Sequence, residues 1–172
     1  MIELITGGRN AGKTSTAIDS AKKIALKRYY IATARNLDSE VNTKIQRHKM
    51  QRGDKFVTVE EPLDIAGAMK GLDKDSVIVL DCLTMWAANM FFADREKLIL
   101  ETSKKIIIEL SQFRNSFVVT NEVGLGIIPE TALSRKYSSL LGEVNKLFAS
   151  TADIVLLMVD GIPLKIKGSF YP

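Results

Sequence analysis

A three-layer α/β fold, with a mostly parallel sheet between helices and a small antiparallel hairpin at its end, is predicted by three observations. Short apolar runs of strand length alternate with amphipathic stretches of helix length along the 172-residue chain. The first run opens into a glycine-bounded loop and then a helix, the order in which parallel α/β units begin. The last two runs flank Asp160-Gly161, a turn that joins antiparallel neighbours.

The glycine-bounded loop carries the chemistry. Gly7-Gly8-Arg9-Asn10-Ala11-Gly12-Lys13-Thr14 satisfies the phosphate-binding pattern G-x-x-x-x-G-K-[ST]. Ile2 to Thr6 before it reads as a buried strand, and Ala17, Ile18, Ala21, Ile24 and Ala25 after it fall on one helix face. Such a loop wraps closely enough for successive amide N–H groups to converge on an anion at the positive end of the helix. Lys13 adds a charge for the outer phosphates, and the Thr14 hydroxyl is placed to meet Mg²⁺. The prediction is a P-loop NTPase fold of the RecA-like type that binds a nucleoside triphosphate.

Composition sets the limits. With 46% hydrophobic and 26% charged residues, 172 residues are expected to form one domain spanning 1–172. The start of the chain reads as a strand rather than a leader, no run is long enough to cross a bilayer, and one cysteine, Cys82, forms no internal disulfide; the expected compartment is the cytoplasm. The net charge of +4 is interspersed rather than gathered into a stripe, which suits phosphorylated small molecules and argues against nucleic acid.

Tyr29 to Thr33 is the second expected strand, and Thr33-Ala34-Arg35 opens a loop at the strand's carboxyl end, where ligand crevices form in such sheets. A helix is expected from Asp38 to Met50. At 100° per residue, Leu37, Val41, Ile45 and His48 share a sector of roughly 80°. The chain's one histidine therefore sits on the inner face, among Lys44, Arg47, Lys49 and Arg52. Either a packed histidine or a catalyst fits that position.

Phe56 to Glu60 alternates as a strand, and a short helix holds Leu63, Ile65, Ala66 and Met69. Ser76 to Asp81 is the clearest buried strand, and its terminal Asp81 stands where a P-loop enzyme keeps the carboxylate that meets Mg²⁺ beside the loop hydroxyl. Cys82 reads as a small buried residue, and Leu83 to Phe92 as a core helix or subunit contact. Asp94 is expected to cap a helix reaching Phe113, with Leu98 among its apolar positions. Phe117 to Thr120 is a further strand, opening into Asn121-Glu122-Val123-Gly124-Leu125-Gly126-Ile127-Ile128-Pro129-Glu130, a loop suited to close approach to a ligand. A helix from Thr131 to Ala149, a strand from Ile154 to Val159 and an edge strand from Leu164 to Lys167 complete the chain.

Thr6-Gly7-Gly8 with Gly12-Lys13-Thr14, Tyr30-Ile31-Ala32-Thr33, Ile45-Gln46-Arg47-His48-Lys49, Thr58-Val59-Glu60, the block from Thr120 to Glu130 and Gly142-Glu143-Val144-Asn145 stand in one order and spacing. In these the chain resembles the bifunctional adenosylcobinamide kinase/adenosylcobinamide-phosphate guanylyltransferase family of cobalamin biosynthesis. The likeness spans essentially the whole chain. It implies two reactions: phosphorylation of adenosylcobinamide by ATP or GTP, then transfer of GMP from GTP, through a guanylylated histidine, to adenosylcobinamide phosphate, giving adenosylcobinamide-GDP.

The family's histidine falls on His48, which with Lys13 makes the expected catalytic pair. Nucleotide contacts carry over to Gly7, Gly8, Arg9, Asn10, Ala11, Gly12, Lys13, Thr14, Thr33, Ala34, Arg35, Lys49, Arg52, Glu60 and Asp81, with Thr14 and Asp81 toward Mg²⁺. The resemblance also implies a homo-oligomer, a trimer. Departures exist: Asn10-Ala11 replace the family's Arg-Ser, Gly53 and Phe56 stand where proline and tryptophan are usual, and Ser138, Ser139, Glu143 and Lys146 replace Arg, Asp, Arg and Gln. A single-activity P-loop kinase and a RecA-like ATPase or switch module are the alternative readings.

Overall fold

The computed structural model describes residues 1–35, 46, 49, 50 and 52–168. Seven strands form one sheet: β1 (Ile2–Gly7), β2 (Arg28–Ala32), β3 (Val57–Glu60), β4 (Val77–Asp81), β5 (Asn115–Val119), β6 (Ile154–Val159) and β7 (Ile162–Lys167). Their order is β3-β2-β4-β5-β1-β6-β7, with every neighbouring pair parallel except the β6–β7 hairpin. The helices are α1 (Lys13–Lys22), α2 (Ile65–Lys70), α3 (Leu83–Phe92), α4 (Ile99–Ser111) and α5 (Ala132–Thr151).

The layers follow from strand alternation, since successive side chains point to opposite faces. Tyr29 and Ile31 of β2, Ile78 and Leu80 of β4, and Val118 of β5 join one buried cluster, which the apolar stripes of α2, α3, α4 and α5 complete. Tyr30, Val77, Val79, Phe117 and Val119 face the other way, into a second cluster with Ala17, Ile18 and Ala21 of α1. The middle strands read as unbroken apolar runs because both faces are covered. This is the predicted three-layer, mostly parallel architecture with its terminal hairpin.

Several boundaries differ from expectation. The first helix ends at Lys22, so Ile24 and Ala25 lie beyond it, and the third strand begins at Val57, leaving Phe56 as a buried anchor before an exposed edge. Asp94 caps nothing: it takes a left-handed φ of 57° just after α3, and α4 begins at Ile99 after a 3₁₀ turn over Glu96–Leu98. The aspartate tolerates that conformation and serves to reverse the chain. Leu98 is 49% exposed rather than packed. The last strand starts two residues before the expected Leu164, at Ile162. Trp86 of α3 is wholly buried and donates its indole N–H to the Leu63 carbonyl at 3.0 Å, the core role rather than a surface one. The helix expected over 38–50 falls mostly outside the described residues, His48, Lys44 and Arg47 included.

Candidate active site

Parallel strands direct their carboxyl ends to one edge of the sheet, and the functional side chains gather there. Gly7 closes β1 at φ 145°, pressed against β6, and Gly12 precedes α1 at φ 90°. Between them Asn10 adopts φ 62°, and the Ala11 amide donates to the Gly8 carbonyl at 3.3 Å. The loop thus has the left-handed turns that wrap amides around an anion. Lys13 is buried, and its ammonium folds back to donate to the Gly8 carbonyl at 2.5 Å. Gly8, Arg9 and Asn10 are exposed at the mouth.

Thr14 sits one residue into α1, and its hydroxyl donates to Asp81 Oδ2 at 2.9 Å. The strand-end carboxylate and the loop hydroxyl, 67 residues apart in sequence, are therefore neighbours. Both supply oxygen, the atom that hard divalent cations prefer. Among the described residues no group of three or more His, Cys, Asp and Glu forms an all-protein cage. A cation shared between this pair and nucleotide phosphates fits the donor set.

The same Oδ2 accepts a second hydrogen bond, from the hydroxyl of Tyr30. Tyr30 is 1% exposed. Burial, and after it the adjacent Asp81 carboxylate, hold the phenol far above its ordinary pKa, so it remains a donor. The Arg52 guanidinium lies over the Tyr30 ring at 3.9 Å from its centroid, and Phe56 packs edge-on to that ring at 6.2 Å. A cation stacked on an aromatic face in a dry setting contributes on the order of 2 kcal/mol. Arg52 itself is only 4% exposed, which is unusual for an arginine and is explained by this seat.

Arg52 also lines a cleft of about 290 Å³ with Lys49, Gly53, Thr58 and Glu60. Lys49 pairs with Glu60 across it at 2.9 Å, an exposed contact contributing at most about 1 kcal/mol. The expected nucleotide residues therefore form two groups. Gly7 to Thr14 and Asp81 make the phosphate loop; Lys49, Arg52 and Glu60 make the lateral cleft. Tyr30, which sequence reasoning passed over as a strand residue, touches both.

Thr33 is wholly buried, and its side chain is engaged within the protein. Its buried hydroxyl donates to the Cys82 carbonyl at 2.8 Å and accepts from the Cys82 amide at 2.7 Å, tying the ends of β2 and β4 together. Asn89 of α3 donates to the Thr33 carbonyl at 2.8 Å and to the Pro62 carbonyl at 3.1 Å. Thr33 thus sets the course of the turn that carries Ala34 and the exposed Arg35. Cys82 is half-buried at the start of α3, where its Sγ accepts from the Met85 amide at 3.4 Å.

The loop after β5 is moored at its root. The Glu122 amide donates to the Gly7 carbonyl at 3.0 Å. Asn145 of α5 accepts from the Thr120 hydroxyl at 2.7 Å and donates to the Asn121 carbonyl at 3.0 Å. Arg135 donates to the carbonyls of Pro129 and Glu130 at 3.0 and 2.6 Å, bracing the far end. Between these moorings Leu125, Ile127 and Ile128 stand exposed.

The chain is similar to known proteins in sequence and in fold. The family model described as cobinamide kinase / cobinamide phosphate guanyltransferase matches residues 3–166. A relative from Pseudomonas aeruginosa, named bifunctional adenosylcobalamin biosynthesis protein CobP, is 32% identical over 171 residues, covering 98% of each chain. One from Salmonella typhimurium, named bifunctional adenosylcobalamin biosynthesis protein CobU, is 35% identical over 97% of this chain and 100% of its own. Among solved structures, a RadB recombinase superposes with a TM-score of 0.57 at 15% identity, covering 99% of this chain and 82% of its own. An ATPase of a type III secretion system gives 0.56 at 9% identity, covering 92% and 51%. The last two are similar in fold alone.

Proposed function

This chain belongs to the cobinamide kinase / cobinamide phosphate guanyltransferase family, and we propose that it carries out both halves of that chemistry with the residues described above. The observation that carries the reading is the Thr14–Asp81 pair at the mouth of a phosphate loop. In the kinase half, the hydroxyl of adenosylcobinamide attacks the γ-phosphorus of ATP or GTP, the nucleoside diphosphate leaves, and the hydroxyl proton passes to solvent. The amides from Gly8 to Lys13 orient the triphosphate, and the Lys13 ammonium turns from Gly8 to the transferring group. Thr14 and Asp81 would hold Mg²⁺, which would neutralise charge on the phosphate oxygens.

In the transferase half, a neutral ring nitrogen of His48 attacks the α-phosphorus of GTP, and pyrophosphate leaves. An oxygen of adenosylcobinamide phosphate then attacks the same phosphorus, the P–N bond breaks, and His48 is restored as adenosylcobinamide-GDP forms. His48 lies outside the described residues, and its role is supported by its place in the family's sequence block. Lys49 and Arg52 follow it closely, and together with Glu60 they line the lateral cleft suited to the nucleotide. Arg9, Ala34 and Arg35 border the same edge.

We place the reaction in the cytoplasm, where the lone thiol of Cys82 stays reduced. No helix among the described residues is long and apolar enough to cross a membrane. The working form we propose is a homo-oligomer, with the trimer as its expected size.

The deciding experiment is incubation with Mg²⁺ and GTP labelled at the α-phosphate, then denaturation. Acid-labile, alkali-stable label on the wild-type protein, absent from His48→Ala, is the expected result. Folded, GTP-binding protein that takes up no label leaves the kinase half alone.

A further inference from the structure

We propose that Tyr30 is a positioning residue for phosphate transfer: its phenol fixes the Asp81 carboxylate against the Thr14 hydroxyl and joins that pair to Arg52 beside the lateral cleft. This rests on the reading of Thr14 and Asp81 as the residues that meet Mg²⁺ and the triphosphate.

The placement follows from strand register. Tyr30 of β2 lies opposite Val79 of β4, and Ala32 lies opposite Asp81. With a period of two, Tyr30 and Asp81 project on the same face of the sheet, the face that α1 covers. A long aromatic side chain leaning along its strand spans the two-residue offset and brings its hydroxyl to the carboxylate. Alanine at position 32, where the side chain is short, leaves the path open.

Packing alone does not account for a tyrosine here. A phenylalanine ring fills the same space against Phe56 and keeps the Arg52 guanidinium on its face, but lacks the hydroxyl that meets Asp81 and also Arg52. Burying a hydroxyl is unfavourable unless it is bonded, and this one bonds to the carboxylate oxygen that Thr14 already addresses. Two hydroxyl hydrogens on Oδ2, one from helix α1 and one from strand β2, limit rotation of the carboxylate about its terminal torsion. The same ring carries Arg52 on its face at 3.9 Å. The phosphate loop and the lateral cleft are thereby connected through one side chain, which sets the carboxylate before any ligand enters.

The test measures GTP binding as a function of Mg²⁺ concentration for wild type, Tyr30→Phe, Asp81→Asn and the double variant. Tyr30→Phe is expected to raise the Mg²⁺ midpoint about tenfold, the effect of one lost hydrogen bond to a charged group, while metal-free GTP affinity stays within about twofold. In the Asp81→Asn background the same change is expected to add nothing, because Tyr30 acts through that carboxylate.

A midpoint moved by Asp81→Asn but not by Tyr30→Phe overturns the proposal and leaves the assignment of Asp81 standing. A midpoint unmoved by either overturns both. A second measurement does not depend on the variants folding. In wild-type protein with labelled tyrosine rings, the Tyr30 hydroxyl-bearing carbon is expected to shift when Mg²⁺ joins bound GTP; a signal that stays in place overturns the proposal.

Discussion

Gly7 and Gly8 are adjacent, and both belong to the phosphate loop, yet their surroundings ask different things of them. A Cβ on Gly7 would lie 2.5 Å from the Met158 carbonyl oxygen, with φ at 145°. The neighbouring strand backbone cannot give way, because β1 and β6 are paired through Gly7 and Met158. A Cβ on Gly8 meets nothing within 4 Å. Gly7→Ala is therefore expected to lower stability by about 2–4 kcal/mol, from a clash with backbone added to a strained torsion. Gly8→Ala is expected to stay within about 0.5 kcal/mol of wild type. Chemical denaturation of the two variants side by side checks this, and equal losses count against it. The glycine pattern in the sequence does not separate the two positions; the strand packed beside one of them does.

At the scale of an element, α5 does more than cover the sheet. From its middle, Asn145 reaches the buried Thr120 hydroxyl and the Asn121 carbonyl, while Thr84 at the start of α3 accepts from the Asn121 amide at 2.7 Å. The chain leaving β5 is thus held by two helices before it enters its exposed stretch. Asn145→Ala leaves the Thr120 hydroxyl with only the longer Thr84 contact and the Asn121 carbonyl without its side-chain donor, at a cost of about 1–3 kcal/mol. Faster amide exchange at Glu122, measured by hydrogen–deuterium exchange, is expected to accompany the loss, since that amide is the next tie to the phosphate loop. Unchanged exchange there means that the loop root is held by other contacts. Element boundaries show how far local signals reach. Asp94 satisfies the pattern for a helix cap, but the chain must first turn after α3 and pass a 3₁₀ segment, and the helix begins only at Ile99. A cap residue marks a favourable start, and tertiary packing of Ile99, Ile106 and Leu110 decides which start is used.

Over the whole molecule, the sheet ends in an edge strand that mixes exposed apolar residues with Pro163, Lys165 and Lys167. Ile162, Leu164 and Ile166 of β7 are all exposed, Ile166 at a bulge in the pairing with β6, and Val159 is exposed beside the turn. Such a row suits burial against another copy of the chain. Sedimentation equilibrium is expected to give a multiple of 19.1 kDa, near three copies, and the double change Leu164→Glu with Ile166→Lys is expected to return it to one. A wild-type protein that runs as 19.1 kDa removes the oligomer from the reading.

What the sequence determined by itself was carried by contiguous residues. The phosphate loop, the strand before it, the apolar runs of β4 and β5 and the family blocks are each legible in a short window, because backbone conformation and strand period are local properties. Of the candidate site, this yielded Gly7 to Thr14, Asp81 and the positions Lys49, Arg52 and Glu60, with His48 named by its expected helix face and its sequence block. Tertiary structure decided what these residues meet. Tyr30 looks like one more buried strand residue until parallel register places it on the same face as Asp81, two positions short of the strand end. Thr33, which reads as a ligand contact, is occupied by Cys82 across the sheet. Both outcomes depend on which strand lies beside β2 and in what alignment. That depends on the packing of the whole sheet, a property no short window of sequence contains.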